Sequence, residues 1–245
     1  MDHRTVLLSL MSMFLMLALV APGSAQARTI GVSKGSSFTY SLTVSWVSND
    51  PKSTPPPYME TANDTLWAQF NVTDVSGTNI TVQATTHYKN GTETTGEGWL
   101  DVDTGFVMNV AYIFISANLT AGESVYGYTP YDTWIINQTL PRTYPSGVRE
   151  TNYLNIITSY AAITFRNYYF WDKLTGVLVE LQQDGYNQTG VYTTTSSFDL
   201  KVTGSNVWTV PEFPTWTAPL LMLVALTSAT ALTAERRRRP KRPLG

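Results

Sequence analysis

Apolar and polar residues alternate strictly over residues 38–46. Phe38, Tyr40, Leu42, Val44 and Trp46 point one way, and Thr39, Ser41, Thr43 and Ser45 point the other. A period of two predicts a half-buried antiparallel strand with one wet face. Residues 50–58 carry Pro51, Pro55, Pro56 and Pro57, which cannot donate to a ladder, and they read as an extended loop. A second strand is predicted over 66–73, with Ala68, Phe70 and Val72 inward. The chain turns at Val75–Asn79, and a third strand over 80–88 puts Ile80, Val82, Ala84 and Tyr88 inward. Asn90-Gly91 is a strong hairpin signal, and 97–103 is the returning strand. Residues 66–103 thus read as a three-stranded meander.

The middle of the chain has a different texture. Residues 106–119 form a nearly unbroken apolar run, and periodicity does not decide between a buried strand and a short buried helix. Residues 120–147 are rich in Gly, Pro, Thr and Tyr and read as a long loop region with at most short strands. Strands resume over 153–160 and 162–171, and Trp171–Gly176 is a hairpin turn with Gly176 at the left-handed position. Val177–Gln182 returns, and a final pair, 198–202 and 207–210, is joined by 204–206. Eight to ten strands follow one another, with no βαβ alternation and no internal repeat. The fold predicted is all-β: an antiparallel meander sheet, as a half-open barrel or a sandwich, with an N-terminal signal helix and a C-terminal transmembrane helix.

The two ends carry those helices. After Arg4, residues 6–20 are apolar, and Pro22-Gly23 and the Ala25-Gln26-Ala27 exit follow. This is the plan of a secretory signal peptide cut after Ala27, leaving 1–27 outside the mature chain. Trp216 to Ala234 is 19 residues without a charge, close to the ~20 that span a bilayer. Glu235 and six basic residues between Arg236 and Arg242 come next, which fixes the 235–245 tail on the cytoplasmic side. The 28–209 β domain then faces the outside of a cell membrane, joined to the span by a Pro-rich linker at 210–215.

Charge sharpens this picture. Only 14% of the chain is charged, against about 25% in an average soluble protein, which excludes a long solvated coiled coil and a charged disordered chain. Residues 28–212 hold nine basic and sixteen acidic side chains, a formal charge of −7. An acidic exterior argues against nucleic acid as a partner. The absence of cysteine removes disulfides, thiolate metal sites and a cysteine nucleophile.

Pro211-Glu212-Phe213-Pro214, placed just before an apolar span and an Arg cluster, resembles the PEF-type C-terminal sorting signal of archaeal surface proteins. The resemblance covers Val210 to Gly245. It implies an archaeal, surface-displayed protein and an archaeosortase-type processing enzyme that removes the span and anchors the protein by another route. A second resemblance rests on the Gly35–Tyr40 strand start, the Val75–Asn79 turn and the Trp171–Leu178 hairpin. Across residues 31–183 this order is similar to a recurrent type of archaeal secreted β protein, and the architecture resembles the half-open barrels of bacterial lipoprotein carriers. That likeness implies a fold, not a chemistry.

Candidate chemistry is sparse. Seven Asn-x-Thr sequons occur, at Asn63, Asn71, Asn79, Asn90, Asn118, Asn137 and Asn187, where 13 Asn would give about three or four by chance. They predict glycosylation at several of these sites. His87 shares the outward face of its strand with Thr81, Gln83 and Thr85 and reads as solvated; one such histidine builds no catalytic triad and no zinc site. Asp101 and Asp103 share one strand face, whereas a glycosidase pair faces across a cleft. Asp-x-Asp-x-Gly is a fragment of a calcium loop without its later Asp and closing Glu. No catalytic residue, metal ligand or cofactor is assigned.

By elimination, a binding site falls among Tyr126, Tyr128, Tyr131 and Trp134, aromatics in a Gly- and Pro-punctuated segment without a burial pattern. The competing reading is that this segment folds back as a lid and buries them. The function expected is that of a non-enzymatic surface module, structural or binding an extracellular protein, glycan or lipid. A carrier holding a lipid or other apolar ligand on a concave face is the alternative, and a surface glycan hydrolase ranks below both.

Overall fold

The structure, a computed structural model, describes residues 28–128 and 130–208. The signal segment 1–27, residues 209–215, the apolar span 216–234 and the basic tail all lie outside the described residues. None of the helices among the described residues is long and apolar enough to cross a membrane.

Ten strands build one antiparallel sheet that is not closed. The N-terminal half supplies β1 (Ser37–Ser48), β2 (Thr65–Ser76), β3 (Asn79–Tyr88), β4 (Glu93–Asp101) and the short β5 (Val107–Met108). The C-terminal half supplies β6 (Gln138–Tyr144), β7 (Gly147–Tyr160), β8 (Ile163–Asp172), β9 (Leu178–Thr189) and β10 (Tyr192–Ser205). The order across the sheet is β5-β4-β3-β2-β1-β10-β9-β8-β7-β6. Each half is a meander, and the first and last strands join them at the centre over the long register from Phe38↔Ser205 to Ser48↔Thr194.

Alternation decides which face is which. Phe38, Tyr40, Val82, Leu100 and Val202 are buried on one face, and the other carries mostly Thr, Ser, Asn and Gln. The apolar face is covered at one end only. Residues 109–137 leave the β5 edge and re-enter at β6, the opposite edge of the sheet, so this strap runs over the apolar face between them. Its Ile113, Phe114, Ile115, Leu119, Val125 and Ile136 are buried in the same core as Phe38, Tyr40 and Trp171. Backbone bonds pin it to the β8–β9 turn: Ile115 N–H donates to Gly176 O at 2.9 Å, and Asn118 N–H to Lys173 O at 2.6 Å. Gly176 has φ of +69°, and a Cβ there would run into the carbonyl oxygen of Ile115. Only glycine satisfies both demands.

Three sequence expectations change. Residues 50–58 are not loop throughout, because a helix, α1 (Pro57–Asp64), begins inside the proline run. Proline suits the first helical turn, where its missing N–H is no loss, and Met59 and Ala62 bury one face. The expected hairpin 198–202/207–210 is not seen among the described residues: β10 is a single strand from 192 to 205, paired with β1 and β9, residues 207–208 are not strand, and 209–210 lie outside the described residues. The 106–119 run is neither a long strand nor a helix; beyond β5 it is irregular strap, buried because a sheet lies beneath it.

α1 occupies a fork. β1 and β2 pair only over Ser37–Tyr40 with Ala68–Asn71, although both strands continue. Beyond Tyr40 the strands part, and α1 packs against both.

Candidate functional site

The aromatic segment singled out from sequence divides when folded. Tyr126 is 0% exposed, and its hydroxyl donates to Phe114 O at 2.9 Å. Burial raises its pKa well above the ordinary phenol value. It is a core residue that offers no surface to a ligand. Tyr131 and Trp134 are half-buried against it and form a ring cluster with Tyr112 and Tyr169 at centroid separations of 5.1–6.3 Å. Tyr112 donates its hydroxyl to the Tyr131 hydroxyl at 2.8 Å. Such edge-on packing is how aromatics bury apolar area while keeping a polar tip bonded. Tyr128 is 51% exposed and rests against Phe106, with ring centroids 5.1 Å apart. So three of the four are brought together as strap packing, and Tyr128 alone presents a ring to solvent.

The other sequence candidates resolve simply. Asn63, Asn79, Asn90, Asn118 and Asn137 are exposed, and Asn71 and Asn187 are half-buried. In one sequon Thr92 donates both its N–H, at 2.9 Å, and its hydroxyl, at 2.7 Å, to the Asn90 amide oxygen. His87 is stacked on Trp67 at 5.0 Å and lies 2.9 Å from Glu93, so it is half-sheltered and held by two neighbours. The Asp101 carboxylate accepts the N–H groups of Asp103 and Thr104 and closes a turn. Asp103 lies 3.9 Å from Arg28. No cluster among the described residues could hold a metal ion.

The polar face of the C-terminal half holds what the sequence reading missed. Lys201 in β10 lies over the Tyr144 ring in β6, 5.6 Å from its centroid. On a flat sheet those strands would stand about 19 Å apart, more than the two side chains can span. The sheet therefore rolls toward its polar face here. Arg142 closes the roll by donating to Glu180 at 2.7 Å while its guanidinium lies 3.9 Å over Phe170. Tyr144 also donates to Glu180, at 3.3 Å, and its pKa is raised, first by burial and then by that carboxylate. Beside it Arg149 donates to Asp172 at 2.9 Å, both side chains being buried, and Asp172 accepts the Thr175 N–H and hydroxyl. These groups are paired with one another and serve the fold.

Further along the rolled face, toward the hairpin tips, a groove of about 490 Å³ opens. Its wall is a register product. Ser45, Ser197, Asp184 and Arg166 make one row across β1, β10, β9 and β8, and Thr195, Tyr186 and Thr164 make the next. Arg166 and Asp184 stand directly opposite, yet neither has an ion pair or hydrogen bond among the described residues. Asp199, one row further in, has its carboxyl pKa raised, first by burial and then by Asp184 and Glu180, with Lys201 opposing. A second cleft, about 360 Å³, lies in the fork between β1 and α1 and is lined by Val44, Trp46, Pro55 and Met59 with Glu60, Asn63 and Asp64 at its rim.

Compared with known proteins, the chain matches no family model and no curated protein.

Proposed function

We propose that this chain is an exported, membrane-anchored, glycosylated protein of the archaeal cell surface with a non-enzymatic structural or binding role. The observation that carries the reading is the placement of the sequons: seven sites, on strands, turns, helix and strap, none of them buried. A glycan needs such positions, and unselected Asn-x-Thr triplets would fall on core strands as well. The exit of the described chain is consistent with an anchor. Trp208 lies at the strapped end, and the seven residues 209–215 reach at most about 25 Å before the apolar span begins. We read the rolled, unclosed sheet as a half-open barrel. The apolar span 216–234 either stays as the anchor or is removed by an archaeosortase-type enzyme that recognises Pro211–Pro214 and anchors the protein by another route.

Two measurements test it together. Protease added to intact cells is expected to remove the 28–208 region, and to spare the basic tail where the span is kept. Mass spectrometry of the native protein is expected to show added hexose on peptides containing Asn71 or Asn79. A protected ectodomain, or unmodified peptides at all seven sites, contradicts the reading.

The carrier reading has one observation in its favour. The apolar face beyond the strap is only half-covered at Leu42, Val44, Trp46 and Phe198, and the fork cleft opens beside it. Its volume is at the low end of ligand pockets, so it would hold a chain end rather than a whole lipid. Native mass spectrometry of the purified chain decides: a co-purifying apolar mass supports a carrier, and its absence excludes one.

A further inference from the structure

We propose that the groove on the rolled polar face binds a neutral oligosaccharide chain; this deepens the binding role proposed above and rests on it. The lining is chemically of that kind. Ser45, Thr164, Thr195 and Ser197 offer hydroxyls that both donate and accept, spaced by the strand repeat over four strands. Sugar hydroxyls need partners of this double character. Arg166 and Asp184 add a fixed set of donors and a pair of acceptor oxygens, and their charges cancel within the groove, so neither an anionic nor a cationic ligand is favoured as a whole. Ordinarily an Arg and an Asp directly opposite on one face would bond to each other. Here neither has a hydrogen bond or ion pair among the described residues, and both exposed side chains are available to a ligand. Tyr186 supplies the remaining element, a half-exposed ring for the C–H face of a pyranose, with its hydroxyl held by the Gln188 amide oxygen at 3.0 Å.

The shape and the glycan map agree with this. The roll that brings Tyr144 to Lys201 makes this face concave, and ligands are held in concavities. No sequon lines the groove. Asn187 is next to Tyr186 in sequence, but strand alternation turns it to the opposite face, where its register partners are Thr194 and Ile163. A fully glycosylated chain therefore keeps the groove open. Gly185, between the two groove residues of β9, is required for packing on the reverse side, where a Cβ would run into Ser196 Oγ and crowd the Phe165 ring. That packing places Asp184 and Tyr186 on a paired strand and not on a loop.

The test uses the full chain in detergent on a printed array of neutral oligosaccharides, acidic oligosaccharides and polar peptides. Capture is expected on neutral oligosaccharides, with solution affinity for the captured sugar falling at least tenfold in Tyr186→Ala and in Asp184→Asn. Thermal midpoints should stay unchanged, because both side chains are exposed. Thr195→Arg, which fills the groove from β10 while leaving the Tyr186 and Asp184 side chains in the sequence, should abolish capture and guards against misfolding of either variant. No capture, capture only on peptides or acidic sugars, or capture that survives all three substitutions overturns the proposal. Binding is read in whichever cell fraction the chain is found, so an error in the membrane reading leaves this result standing.

Discussion

The two ends of the sheet differ in what their side chains are used for. At the strapped end both faces are occupied. Phe114, Ile115 and Tyr126 cover the apolar face, and Arg149, Asp172, Tyr144 and Glu180 fill the polar one. At the open end the β7–β8 and β9–β10 hairpin tips stand free, with Tyr160 81% and Val191 84% exposed. The same strands run through both regions, so the difference does not come from secondary structure. It comes from the strap, which has enough residues to cross the sheet but covers only one end. The general lesson is that a large open sheet can concentrate its stability at one end and leave the other for binding.

The comparison breaks most visibly in the core. Phe114→Ala removes a fully buried ring where strap meets sheet and should cost about 3–5 kcal/mol, read as a drop in the denaturant midpoint. If the loss is under about 1 kcal/mol, the strap is not what holds this end. Asp172→Ala leaves the buried Arg149 guanidinium without its carboxylate and frees the Thr175 turn, at about 3 kcal/mol by the same measurement. At the open end the paired change Tyr160→Ser and Val191→Ser should move stability by no more than about 0.5 kcal/mol each. A large loss there would show that the tips are packed.

The smallest expected effect is electrostatic. The Asp199 pKa is raised in the folded chain above its ordinary 3.8, so the folded state holds this proton more tightly than the unfolded state does. Stability from this group is therefore complete below that ordinary value and is lost as pH rises through the raised one. Asp199→Asn should give a slightly higher melting temperature than the parent at pH 7, and the difference should vanish at pH 3. A gain that persists unchanged at pH 3 would show that electrostatics is not its cause.

Much of the architecture is legible from alternation alone. Residues 38–46, 66–73 and 80–88 fall within β1, β2 and β3, and the Asn90-Gly91 hairpin connects β3 to β4. What alternation could not supply is longer in range. The run 193–197 is Thr and Ser on both faces, so β10 carries no contrast there and only its pairing with β1 and β9 defines it. α1 shows just two buried side chains after a proline run, too few for a helical period to emerge. Tyr126 lacks a burial pattern because it is buried by a strap, which has no period. The groove was invisible for a different reason. Ser45, Arg166, Asp184 and Ser197 each look like ordinary wet-face residues, and only the register of four strands assembles them.

Amide hydrogen exchange on the full chain, resolved by peptide, compares the two ends in one measurement. The account predicts slow exchange, near the global unfolding limit, for 38–40, 113–115 and 170–179, and exchange faster by orders of magnitude for 42–48, 158–164 and 186–195. Uniform protection along β1, β8 and β9, or stronger protection at the hairpin tips than under the strap, would contradict the division between an end that holds the fold and an end left free to bind.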